Sequence, residues 1–416
     1  MPTELSTRPR TTPGLLLLGP AFVAAIAYVD PGNVAANLTA GAQFGYLLVW
    51  VLVAANLMAV MVQYQSAKLG LVTGHSLPEL LGQRFPTWGR RLFWLQAEAV
   101  AIATDLAEVV GGAIALNLLF GLPLPLGGLI IGAASMLLLS MQSRRRQRAF
   151  ENSIIVLLAV ITIGFLCGLV FSPPSPEGVL GGLVPRFEGS GSVLLAASML
   201  GATVMPHAIY VHSALARDRH RPLGQQAPDV STLRRLIRAT RWDVVAALAI
   251  AGAVNIGMLL LAASALSGRE GTDSIEGAHA AITDTLGPVV GAVFAVGLLA
   301  SGLASTAVGS YAGASIMGGL LKVQIPLMTR RVITLIPAIA ILAIGMDPTQ
   351  VLVLSQVALS FGIPFALVPL FLLSRNKKIM GIHADHPALQ LAAAISMILV
   401  VVLNGVLIWL TFTGGS

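Results

Sequence analysis

Apolar residues in this chain come in long blocks, and polar residues gather between them. Blocks long enough to cross a bilayer as helix, about 20 residues each, predict eleven helices. They fall at roughly 15–40, 44–70, 91–120, 123–141, 151–171, 192–216, 243–266, 285–316, 330–346, 350–373 and 390–412. The connections are too short for a soluble domain. The longest, 217–242, predicts one short surface helix and a loop. The first block has the outline of a signal peptide, with Arg8 and Arg10 before a leucine run and "AFVAAIA" after it. The apolar pattern continues past that point, and cleavage would strand Asp30, so the block reads as a true span. The pattern predicts an all-α polytopic membrane protein.

Two blocks are interrupted. Residues 27–38 read "AYVDPGNVAANL" and residues 200–212 read "LGATVMPHAIYVH". Pro31 has no N–H and Gly32 is a poor helix former, so backbone groups near Asp30 leave the helix. In lipid every backbone group needs a partner, and a carboxylate at mid-membrane depth is costly and marks function by default. Pro206, between Met205 and His207, breaks the sixth span in the same manner. The breaks fall five spans apart. Five is odd, so a five-helix repeat must run inverted in its second copy. Interrupted helices at matching positions of two halves point to a transporter's site near the midplane.

Composition sharpens this picture. Of 416 residues, 56% are apolar and 10% charged, against about 25% charged in soluble domains. The net charge of +7 suggests nucleic acid until it is placed along the chain. With the N-terminus inside and eleven crossings, every basic residue except Arg186 and Arg269 lies on the inner side. That is the positive-inside pattern. It predicts a multi-pass protein of the cytoplasmic membrane, with the N-terminus cytoplasmic, the C-terminus outside and basic loops beside anionic lipid. Nucleic acid is not an expected partner, and no obligate protein partner is evident. The outer loops are nearly uncharged or acidic, as in "REGTDSIEGAH" at 269–279, and would not repel a cation. Cys167 has no second cysteine to pair with. Neither HExxH nor GxSxG occurs, and an enzyme is not expected.

The chemistry at the breaks can be read from the residue types. One offers the Asp30 carboxylate, the Asn33 amide oxygen and freed carbonyls. The other offers the Met205 thioether and carbonyls that Pro206 releases, such as that of Ala202. A thioether suits softer transition metals and is a poor partner for Mg²⁺ or Ca²⁺. Taken singly, Met205 fits core filling and His207 fits a hydrogen-bonded interior histidine. Span three carries Glu98, Asp105 and Glu108, spaced seven and three apart on one helical face. Either they pair with arginines, or one of them carries a proton. Both readings stand for Glu98. His212 lies toward the inner half of span six, where proton acceptor, gating wedge and vestibule lining are all open. Asp30 must give up any proton it holds when a metal binds.

The pair of breaks, "DPGN" in span one and "MPH" in span six, resembles the signatures of the NRAMP family of proton-coupled divalent metal transporters. "ATDLAE" in span three, the arginine pair at 330–331 and "LSQV" in span ten also resemble that family, so the likeness covers essentially the whole chain. It implies a LeuT-like fold: two inverted five-helix repeats plus an eleventh helix, with helices one and six broken. The corresponding boundaries are a tail at 1–14, a first repeat at 15–171, an outer loop at 172–191, a second repeat at 192–373, and the eleventh helix with the C-terminus at 374–416. The resemblance also implies that Asp30, Asn33, the Ala202 carbonyl and Met205 bind Mn²⁺ or Fe²⁺, with Gln356 joining in occluded states. Protons would pass through Asp105 and Glu108, assisted by Arg330 or Arg331. No cofactor is expected beyond the transported metal and the coupling proton. The retained Met205 argues against relatives that carry magnesium or aluminium. A Na⁺-coupled symporter of a small organic solute is the alternative on the same fold. Asp30 with Met205 fits its Na⁺ cage of carbonyls and hydroxyls poorly.

Overall fold

The computed structural model describes residues 19–140, 147–220, 228–269, 271–272, 274–323 and 325–413. The predicted tail 1–14, the arginines at 144–146 and Ser416 lie outside the described residues. Among the described residues the regular structure is all helical.

The first span divides at its interruption. α1 (Pro20–Ala25) tightens into a 3-10 turn over Ile26–Val29, stops at Asp30, and restarts as α2 (Pro31–Phe44). Pro31 is the cause. It has no N–H, so the Ala27 carbonyl cannot take an α-helical bond from four residues on, and the chain shifts to the tighter turn. There follow α3 (Val49–Thr73), α4 (Leu77–Arg84), α5 (Thr87–Phe120), α6 (Leu124–Ser140), α7 (Gln147–Leu166) with its continuation α8 (Gly168–Phe171), and α9 (Pro176–Gly182). The sixth span divides into α10 (Gly189–Thr203) and α11 (Pro206–His220). The remainder is α12 (Val230–Ala265), α13 (Ile275–Leu286), α14 (Pro288–Leu321), α15 (Leu327–Ile344), α16 (Pro348–Ser374), α17 (Lys377–Met380) and α18 (Pro387–Thr413).

Among the described residues each of the eleven predicted spans falls mainly on helix. Eight helices of the described residues are long and apolar enough to cross a membrane, and Pro20–Val29 and Leu124–Ser140 are shorter apolar helices. Large apolar side chains such as Val156, Ile163, Ile336, Ile398 and Trp409 face outward, as they must where lipid is the solvent.

The structure corrects the reading of 217–242. α11 runs on to His220, and the helix after the gap is no separate surface piece but the start of α12, unbroken from Val230 to Ala265. Asp229 caps it, accepting from the Ser231 and Thr232 N–H groups. No proline follows to stop it before the membrane. Short α4, α9, α13 and α17 were not predicted, because a hydropathy window of span length averages them away. Each announces itself by a cap: Ser76, Ser175, Ser274 and Asn376 accept from N–H groups two or three residues on.

α14 packs along α5, α7 and α11, while α12 packs along α2 and α3. One continuous apolar core joins these helices and encloses the two breaks, including Val29 and Met205.

Candidate functional site

The two breaks share one local sequence, "AYVDP" at 27–31 and "ATVMP" at 202–206. Ala27 stands to Pro31 as Ala202 stands to Pro206, four residues before a residue without an N–H. Asp30 and Met205 hold the same place, immediately before the proline.

At the first break the freed backbone is satisfied from neighbouring helices. Asn255 on α12 donates to the Tyr28 carbonyl at 2.6 Å, and Ser301 on α14 donates to the Val29 carbonyl at 2.6 Å. Asp30 is extended and caps α2: its Oδ1 accepts from the Asn33 N–H at 2.8 Å and the Asn33 side-chain amide at 2.6 Å. One carboxylate oxygen therefore builds the helix. The other, Oδ2, is buried with no hydrogen-bond partner among the described residues.

Asn33 ties the breaks together, since its Nδ2 also donates to the Ala202 carbonyl at 2.9 Å. That carbonyl is available because Pro206 cannot donate to it. Among the described residues Oδ1 of Asn33 is buried and without a hydrogen-bond partner, as is Oε1 of Gln356 on α16. Gln356 stands beside the Asp30 carboxylate and lies directly over Gly32, where a Cβ would fall 1.6 Å from its Nε2. Only glycine leaves room for that amide. Asp30, Asn33, Ala202, Met205 and Gln356 are all buried. Among the described residues the acceptors without donors come from two helices, Asp30 and Asn33 at the start of α2 and Gln356 on α16, and Asn33 links them to the Ala202 carbonyl of α10, three residues before Met205. Among the described residues no three His, Cys, Asp or Glu side chains gather as a metal cluster, so this cradle has one charge and otherwise neutral donors.

The acids of α5 are sorted by their partners. Arg330 of α15 reaches Glu98 at 2.6 and 2.9 Å. Arg331 is wholly buried, donates to Ser135 at 2.9 Å and lies 3.5 Å from Asp105. Glu108 is buried and neither of its oxygens has a hydrogen-bond partner among the described residues. It faces Gly309 of α14, whose missing side chain gives both carboxylates space: a Cβ there would sit 3.0 Å from Glu108 and 3.4 Å from Asp105. Gly111, one turn after Glu108, touches Pro31, so the acid row ends at the first break.

The two histidines of α11 differ. His207 is buried and both ring nitrogens lack hydrogen-bond partners among the described residues. His212 is also fully buried. It pairs with the Gln63 side-chain oxygen at 2.7 Å, and Gln63 donates onward to the Tyr28 hydroxyl at 2.6 Å. This chain leads from α11 back to the first break.

The model of the natural resistance-associated macrophage protein-like (Nramp) family matches residues 21–410. The chain belongs to the Nramp family. It is 60% identical over 398 residues to the divalent metal cation transporter MntH of Mycobacterium tuberculosis H37Rv, covering 96% of this chain and 92% of that relative. It is 45% identical over 403 residues to MntH of Bacillus subtilis strain 168, covering 96% and 93%. A crystallised manganese transporter of Eremococcus coleocola is similar at 29% identity and a TM-score of 0.85, over 95% of this chain and 87% of that one. MhsT, at 14% identity and a TM-score of 0.61 over 92% of this chain and 98% of that one, shares the fold alone. The Nramp chain is thus all-α with a LeuT-like architecture and broken first and sixth helices.

Sequence reasoning missed several polar residues that this Nramp fold buries around the breaks: Tyr28, Gln63, Asn255 and Ser301. A signal was present. Gln63 and Asn255 are amides inside apolar spans, where every polar group must find a partner.

Proposed function

We propose that this Nramp protein imports divalent transition metals, Mn²⁺ and also Fe²⁺, together with protons, across the cytoplasmic membrane by alternating access. One observation carries the reading. Among the described residues Asp30 Oδ2, Asn33 Oδ1 and Gln356 Oε1 are buried acceptors without donors, at a break that Asn33 ties to the Ala202 carbonyl, three residues before Met205. Acceptors in that number suit a cation. A single carboxylate suits a cation that must leave again, since conduction needs binding firm enough to enter and weak enough to release. The names of the relatives, divalent metal cation transporters and a manganese transporter, support a transport role and this substrate class.

In this reading Asp30, Asn33, the Ala202 carbonyl, Met205 and Gln356 hold the ion. Asn33 Nδ2 bridges Asp30 and Ala202, and a half-turn of its amide presents the oxygen to the same place. The arginines compensate Glu98 and Asp105, and Glu108, next to the break, is the carboxyl that gains and loses the proton. His207, His212 and Asp30 stand within reach of the same path. The basic side is cytoplasmic.

The test is Mn²⁺ uptake into proteoliposomes loaded with a pH dye, with and without Na⁺. Wild type acidifies the lumen as Mn²⁺ enters, independently of Na⁺, and Mg²⁺ and Ca²⁺ do not substitute. Asp30→Asn folds but loses Mn²⁺ uptake. Wild-type affinity for Mn²⁺ in that variant would reject the assignment.

A further inference from the structure

The turn Arg241–Asp243 of α12 faces two ways. Asp243 is buried and holds the start of α1, its carboxylate accepting from the Gly19 N–H at 3.1 Å and the Ala21 N–H at 3.0 Å. Arg241 and Trp242 face outward, and Trp242 is 66% exposed. Beyond the tryptophan the exposed row continues through Val245, Ala246, Ala249 and Ile250, all apolar. Before it the row is basic. Arg234, Arg238 and Arg241 are exposed and follow at four and three residues, on one edge of the helix, with Val245 four further on. Leu236, Thr240, Val244, Ala247 and Leu248 on the opposite side are buried.

None of the three arginines has an ion-pair partner among the described residues. The nearby acids are engaged elsewhere. Asp229 caps α12, Asp243 caps α1, and Asp385 is paired with Lys68 and Gln65. Arg234 neighbours His383, and Arg241 neighbours Tyr64, so the flank toward α3 adds no free carboxylate.

We propose that Arg234, Arg238 and Arg241, with Trp242 beneath them, bind the phosphate headgroup of an anionic phospholipid in the leaflet on the basic side of the molecule. The face that carries the arginines continues without a break into an exposed apolar face, the order in which a lipid presents headgroup and acyl chains. Tryptophan marks the level of the headgroups. Guanidinium groups match phosphate oxygens in charge and in forked geometry. A zwitterionic lipid brings its own cation to the phosphate and gains less. The lipid would hold the outer side of a turn whose inner side caps α1.

The site is tested on the full chain, purified in detergent and titrated with phosphatidylglycerol or phosphatidylcholine, with bound lipid counted by native mass spectrometry. This readout is independent of metal transport, so the proposal can fail while the transport reading stands. Wild type retains phosphatidylglycerol over phosphatidylcholine. R234Q/R238Q/R241Q loses that preference, by about fivefold per arginine and roughly 100-fold for the three. R84Q/R91Q/K322Q removes the same charge elsewhere on the basic side and keeps the preference. R234K/R238K/R241K keeps most of it. Undiminished retention by the glutamine variant, equal retention of phosphatidylcholine by wild type, or equal loss in the lysine variant or the control would each overturn the proposal.

Discussion

At the residue scale, the informative feature is which buried atoms lack partners. Met205 is the hardest case, because a thioether fills core space as readily as it binds metal. Its place, matching that of Asp30 in the two "AxVxP" breaks, is what supports the proposed second role. Met205→Ala is expected to keep Mn²⁺ uptake through the remaining oxygens, to lose more Cd²⁺ uptake than Mn²⁺ uptake, and to admit competition by Ca²⁺ and Mg²⁺. A residue that merely filled space would weaken all ions alike, which uptake of each ion at matched protein levels distinguishes. Glu108 makes a second residue-scale prediction. It is the α5 acid without an arginine pair, so Glu108→Gln should reduce metal-driven proton flux more than metal flux. Equal loss of both in a well-folded variant returns Glu108 to a structural role. Asp30 and Met205 could be picked out in the sequence because a carboxylate and two prolines are conspicuous in apolar blocks. The sorting of Glu98 from Glu108 could not, since it depends on where α15 places Arg330 and Arg331.

At the element scale, the helix breaks were legible and the helix ends were not. Proline with a polar or flexible neighbour marked the breaks at Asp30–Pro31 and Met205–Pro206, whereas Pro337, Pro364 and Pro369 lie inside unbroken α15 and α16; ends are set by caps supplied from close by or from far away. α1 shows the distant case. Its first N–H groups are capped by Asp243, more than two hundred residues on, a pairing that no local pattern encodes. A hydrogen bond from a backbone N–H to a charged acceptor is worth about 1.5–3 kcal/mol, and Asp243 accepts two. Asp243→Ala should therefore lower the unfolding temperature and speed amide exchange at Gly19 and Ala21. If exchange there stays at the wild-type rate, α1 is held by packing alone. The same reasoning explains α12. Its amphipathic first turns were read as a detached surface helix because charge interrupts the hydropathy signal, although nothing interrupts the backbone.

At the scale of the whole molecule, the distribution of basic residues predicts one orientation. An impermeant thiol reagent applied to intact cells should label a cysteine placed after Ser416 and spare one placed at the N-terminus, in a background lacking Cys167. The reverse pattern would refute the topology. The overall fold was readable because the spacing of two breaks by an odd number of spans leaves few architectures. The packing of α5 against α14 was not, because it rests on small residues such as Gly309 making room for a neighbour's acids. The matching breaks have a further consequence. A frame built of two halves related by inversion in the membrane presents the same outline when turned over, so its shape alone has no preferred direction. Any difference between the two faces of the site has to come from the places where the halves differ. These are Asp30 against Met205, and the acid row of α5 against α14, which carries no acidic residue. In the proposed transport reading the sense of net travel is then left to the gradients, and a handful of side chains laid on a reversible scaffold decides which gradient is coupled to the metal.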